Sequence, residues 1–177
     1  MLSREAWVPL AEVARPHGVK GELRLKLYNK DSDLLLSLDE VLVRLKEGEE
    51  HEVSVDGARP ADGAILMKLY SVDDRDRADE LRGALICARR KDFPPPGEGE
   101  FYACDLEGAR VVVQDREMQE IGAVRALETY PSVEVLVVRA NDGGKDWEIP
   151  LVEAFVEKVD VLEGLVVLRT LEGVERA

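Results

Sequence analysis

The chain has 177 residues, 45% hydrophobic and 34% charged, with a formal net charge of −13. That is length for one large or two small domains with a true core, and the acidity excludes a protein that coats nucleic acid by general phosphate neutralisation. Two cysteines, Cys87 and Cys104, form no CxxC and have no histidine pair nearby, which argues against a zinc site or a disulfide framework and fits a reducing cytosol.

Apolar alternation begins at Trp7–Val13 and resumes at Leu23–Tyr28, where Leu23, Leu25 and Leu27 share one face and Arg24 and Lys26 the other. Period two predicts half-buried strands. Between them, Arg15-Pro16-His17-Gly18-Val19-Lys20-Gly21-Glu22 reads as a rigid, basic connection in which Pro16, His17, Gly18 and Gly21 are structural turn residues. His17 has two readings, a hydrogen-bonding residue of the turn or a contact to RNA phosphate or a partner's backbone, with Arg15 and Lys20 adding charge. Residues 1–30 carry a balance of +3 and the remainder −16, so the cations of this stretch, Arg15, Lys20 and Arg24, are candidate RNA contacts on an otherwise acidic body.

Further along, 41–45 and 51–55 predict a hairpin and 64–70 another strand. Residues 73–83 predict a short helix, acidic in its first turn and ended by Gly83. A strand over 84–88 closes the first domain. Lys91–Gly99 contains three consecutive prolines, which cannot continue a ladder, and predicts a linker over 91–99 between domains at 1–90 and 100–177.

The second domain opens on Phe101-Tyr102 in a chain only 5% aromatic. Read as a strand, one ring fills the core and the other faces out. The outward ring is either a partner-binding anchor or a seal on the domain entrance. Asp105 and Gly108 read as turn residues. Strands are expected over 109–114, 119–127, 133–139, 147–150, 156–161 and 165–168, with a turn of helix over 151–155. So many short strands with tight turns indicate a small closed barrel.

Catalytic motifs are missing from the sequence. There is no GxxxxGK[ST], no GxSxG, no HExxH and no dinucleotide fingerprint, so no catalytic residue, metal ligand or cofactor is assigned. No run of about 18 apolar residues appears, and no apolar signal region follows the N-terminus. The expectation is a cytoplasmic protein without a membrane partner.

Four segments in order resemble the ribosome maturation factor RimM family of bacterial 16S rRNA-processing proteins. They are Val13–Leu25 with its His-Gly-x-x-Gly-Glu core, Asp79-Glu80-Leu81-Arg82-Gly83, Phe101-Tyr102 with Asp105-Leu106 and Gly108, and Glu148-Ile149-Pro150. The resemblance implies a mainly all-β fold, with a six-stranded N-terminal barrel bearing one short helix and a C-terminal PRC barrel. It implies a non-enzymatic assembly chaperone; nothing in the sequence gives reason to expect an oligomer, so a monomer is expected. Its expected partners are the immature 30S subunit with its 16S rRNA and small-subunit ribosomal protein nineteen, with action on the 3′ head domain. It also implies that Phe101 and Tyr102 serve ribosome association. The chain departs from the family in carrying Phe at the first aromatic position, and Ala103-Cys104 where a bulky aromatic often precedes a polar residue. Two other uses of such barrels compete, an adaptor docking on another protein or a membrane complex and a small flavin-binding oxidoreductase.

Overall fold

A computed structural model describes residues 3–97 and 100–176, which divide between Pro95 and Pro96 into two compact units. The first contains β1 (Trp7–His17), β2 (Glu22–Leu27), β3 (Glu40–Arg44), β4 (Glu50–Ala61), β5 (Ala64–Leu69) and β6 (Leu85–Arg89). They close into a six-stranded barrel in the order β1-β2-β5-β4-β3-β6. Closure requires the long strands to bend. Register shifts at Pro9/Ala11 and Val13/Arg15 in β1, and at Val55/Gly57 in β4, supply that bend. Alternation places Val13, Leu23, Leu25, Ile65, Met67 and Ile86 inside, each at most 3% exposed, and burying each such side chain stabilises the barrel by roughly 1.5–3 kcal/mol.

The expected helix is present but shorter, as α1 (Arg75–Glu80). Asp74 caps it, its carboxylate accepting from the Arg77 N–H at 2.8 Å, and Ala78 faces the core at 0% exposure. Burial pushes the Cys87 thiol above its ordinary pKa.

The basic connection is tighter than the sequence indicates. Pro16 and His17 are not turn residues: they continue β1, opposite Leu23 and Glu22. Only 18–21 turn. Proline is tolerated there because the backbone bonds on the β6 side of β1 end at Val13, which pairs with Gly83 and Ala84, so that edge has no ladder to break at Pro16.

The end of the first unit also runs past β6. The Arg90 and Lys91 N–H groups donate to Ala6 and Arg4 carbonyls, both at 2.9 Å. Lys91 is thus tied to the first unit although the expected linker begins there. Glu98 and Gly99 of that segment lie outside the described residues.

The second unit contains α2 (Ala103–Leu106), β7 (Arg110–Val113), β8 (Gln119–Thr129), β9 (Glu134–Ala140), β10 (Trp147–Pro150), β11 (Val156–Asp160), β12 (Leu165–Leu168) and β13 (Glu175–Arg176). The hydrogen-bonded order is β11-β12-β7-β8-β9-β10-β13, antiparallel except for β12 with β7. One core gathers Leu106, Val111, Val138, Ile149 and Leu168. Val156 and Val159 from one end of the sheet and Val174 from the other pack against that same core, so the sheet wraps around it.

Three expectations change here. Residues 100–102 are irregular rather than a strand. Asp105 is no turn residue but lies in α2, only 7% exposed, its N–H donating to the Tyr102 carbonyl at 2.9 Å. Residues 151–155 turn without forming a helix, and the Val156 N–H returns to the Val152 carbonyl at 2.9 Å. Gly108 does lie in a turn, after α2, and its N–H donates to the Val124 carbonyl at 2.8 Å.

Candidate nucleic-acid and partner interfaces

Inward Leu23, Leu25, Ile65 and Met67 force the intervening residues of β2 and β5 onto the outer face of the first barrel. Cross-strand register then aligns a row over four adjacent strands. Arg15 on β1 lies opposite Arg24 on β2, Arg24 opposite Leu66 on β5, and Leu66 opposite Arg59 on β4. The next outer row is His17, Glu22, Lys68 and Gly57. The structure therefore brings Arg15 and Arg24 together, places His17 one row away, and leaves Lys20 exposed in the hairpin turn.

The electrostatics of this face are uneven. Arg24 donates through Nη2 to the Asp62 carbonyl at 2.6 Å and has no carboxylate partner among the described residues; Arg15 and Lys20 have none either. Arg15 and Arg24 are thus cross-strand neighbours of like charge with no carboxylate among the described residues to offset them. Arg59 differs. Its Nε and Nη2 each reach a Glu22 carboxylate oxygen at 3.1 Å. The hydrogen bond from Arg59 holds the Glu22 carboxyl below its ordinary pKa, with further help from the charges of Arg59, His17 and Lys20. To reach Glu22 on β2 from β4, Arg59 crosses β5, and Leu66 beneath it is only 2% exposed.

Arg59 and Leu66 are not singled out by the sequence. Alternation over 64–70 puts Leu66, Lys68 and Tyr70 on one face, but the sequence does not specify that Leu66 meets Arg24 and Arg59.

On the second unit, Phe101 packs against the core and Tyr102 is half-buried just ahead of α2. Phe101 also lines a groove of about 590 Å³ with Glu100, Leu151, Val152, Val159 and Leu162. Val152 and Leu162 are 40% and 85% exposed. The groove follows β11, the terminal strand of the sheet order. Glu153, Glu157 and Asp160 also line it, with Lys158 among them. Arg169 pairs with Glu157 at 2.5 Å and Lys158 with Asp160 at 2.7 Å; the hydrogen bond from Lys158 is the main cause of the lowered Asp160 pKa. An apolar floor, acidic margins and an edge strand make a surface suited to a basic polypeptide.

Among the described residues no cluster of three or more His, Cys, Asp or Glu could hold a metal ion. No described helix is long and apolar enough to cross a membrane.

Together these features define a protein of two small β units, one carrying a basic outer face and the other an aromatic, acidic groove. Comparison with known proteins gives the family. Residues 8–93 match the RimM N-terminal domain and residues 104–174 the RimM PRC barrel domain. The ribosome maturation factor RimM of Sorangium cellulosum is 50% identical over 94% of this chain and 96% of its own. That of Corynebacterium glutamicum is 36% identical over 97% of this chain and 98% of its own, and that of Myxococcus xanthus 33% identical over 99% and 92%. The chain belongs to the RimM family.

Proposed function

We propose that this protein is a ribosome assembly chaperone, not an enzyme, that acts in the cytoplasm as a monomer. It binds the immature 30S subunit through small-subunit ribosomal protein nineteen and assists maturation of the 16S rRNA head domain. Membership in a family of ribosome maturation factors supports the general role.

The observation that carries the finer reading is the division of charge. Arg15, Lys20 and Arg24 stand without carboxylate partners on one unit, whereas residues 98–177 carry a balance of −10 and Glu100, Glu153, Glu157 and Asp160 line the Phe101 groove. Ribosomal proteins are typically basic, so the acidic unit docks the protein partner and the basic face takes neighbouring rRNA. Charge of opposite sign steers both encounters. Nothing in this arrangement consumes energy. Release follows when the mature head binds the factor less well than the immature one.

Arg15→Glu with Lys20→Glu is expected to weaken binding to immature 30S particles at least tenfold and to leave binding to the isolated ribosomal protein unchanged, both read by pull-down titration. Equal losses in the two assays would show that the basic face is not the RNA neighbour.

A further inference from the structure

The outer face of β1, β2, β5 and β4 contains more than the three cations assigned above. Tyr70 continues the outward alternation of Leu66 and Lys68, and its N–H still donates to Ser54 on β4 at 2.9 Å. Tyr70 is 65% exposed. The face thus combines an arginine row across the strands with an exposed aromatic residue just past the end of β5, four residues beyond Leu66 and roughly 13 Å away at strand spacing.

We propose that this face binds single-stranded RNA, phosphates lying along Arg15, Arg24 and Arg59 and an unpaired base stacking on Tyr70. This deepens, and rests on, the reading of the basic face as the rRNA neighbour. Single strands are favoured over a duplex because an exposed ring offers a stacking surface that only an unpaired base can take. Arg15 and Arg24 sit on adjacent strands and Arg59 two strands beyond Arg24, so the row spans three strand spacings, about 14 Å. That is room for more than one phosphate.

Glu22 acquires a role in this arrangement. It is the carboxylate that holds Arg59 in the absence of RNA. A phosphate oxygen offers the same planar fork of donors an equivalent anionic partner. Binding therefore exchanges one ion pair for another and turns Arg59 from Glu22 toward the RNA. Lys68 does not share this role, since it is already bound to the Val72 carbonyl and to Asp73.

The test is fluorescence anisotropy of the full-length protein with a labelled oligouridylate, with a labelled RNA duplex as a parallel probe, over a series of salt concentrations. The oligouridylate is expected to bind more tightly than the duplex. Arg24→Gln and Arg15→Gln should each reduce the slope of log affinity against log salt by about 0.7. Tyr70→Ala should weaken binding about tenfold without changing that slope, and Tyr70→Phe should restore it. Glu22→Gln should tighten binding several-fold, and that gain should vanish when Arg59 is also glutamine. Thermal melts of each variant separate binding from folding. Preference for the duplex, wild-type affinity in both Arg24→Gln and Tyr70→Ala, or a Glu22→Gln gain that survives without Arg59 would overturn the proposal. If the wild-type protein ignores the oligouridylate yet sediments with small subunits, this inference fails alone. If it binds the oligouridylate but never meets a small subunit, the assembly role fails instead.

Discussion

Gly21→Ala is expected to destabilise the first barrel by about 3 kcal/mol, lowering its melting temperature by roughly 12–24 °C for a domain of this size. Two effects add. Gly21 has φ +80°, a left-handed backbone that costs a residue with a side chain roughly 1–2 kcal/mol. A Cβ there would also lie 1.9 Å from the Val72 carbonyl oxygen, so backbone on a neighbouring segment must move. Gly18, in the same turn, separates these effects. Its φ is +65°, but a Cβ would meet nothing within 4 Å. Gly18→Ala should therefore lose only the backbone part, about 1 kcal/mol. Differential scanning calorimetry of both variants checks the difference. Equal losses would show that the approach to Val72 is unimportant. Because this turn fixes the pairing of β1 with β2, a destabilised Gly21→Ala protein should also lose the Arg15–Arg24 alignment and its affinity for RNA.

The second large effect concerns the aromatic pair, whose members should separate. Phe101 packs against the second core, so Phe101→Ala should cost about 2 kcal/mol, less than the 3–5 of a fully buried phenylalanine. Tyr102 is half-buried ahead of α2. Tyr102→Ala should leave the melting temperature within a few degrees of wild type while weakening small-subunit association at least tenfold, as for an aromatic anchor. Melting and sedimentation of the two single variants, rather than the double variant, decide the matter. If Tyr102→Ala associates normally and only Phe101→Ala is impaired, the pair seals the core and binds nothing.

Much of the fold was legible because strands with one wet face announce themselves by alternation. Leu23, Leu25 and Leu27 against Arg24 and Lys26 located β2 almost to the residue, and the capping pattern of Asp73 to Gly83 located α1. What escaped has physical causes. Ala103–Leu106 is a single turn, too short for a helical period to show. Asp56–Ala61 continues β4 through Gly57 and Pro60, residues that normally end a strand; here Gly57 sits beside a register shift and Pro60 pairs opposite Ile65. β13 is two residues long and exists only because Arg176 and Glu175 pair with Trp147 and Glu148. On the candidate site, Arg15, Lys20 and Arg24 were visible as cations close in sequence. Arg59 was not, because its place in the row depends on register between strands some 35 residues apart. The acidic groove was likewise hidden, since Phe101 and Leu162 meet only through the wrapping of the sheet.

The central claim is that the protein joins an immature small subunit and leaves the mature one. Sucrose-gradient fractionation of a cell lysate, probed for the protein across the gradient, tests it most directly. Co-migration with free small subunits and absence from 70S ribosomes is the predicted result; a protein found only at the top of the gradient, or equally in small subunits and 70S ribosomes, would contradict it.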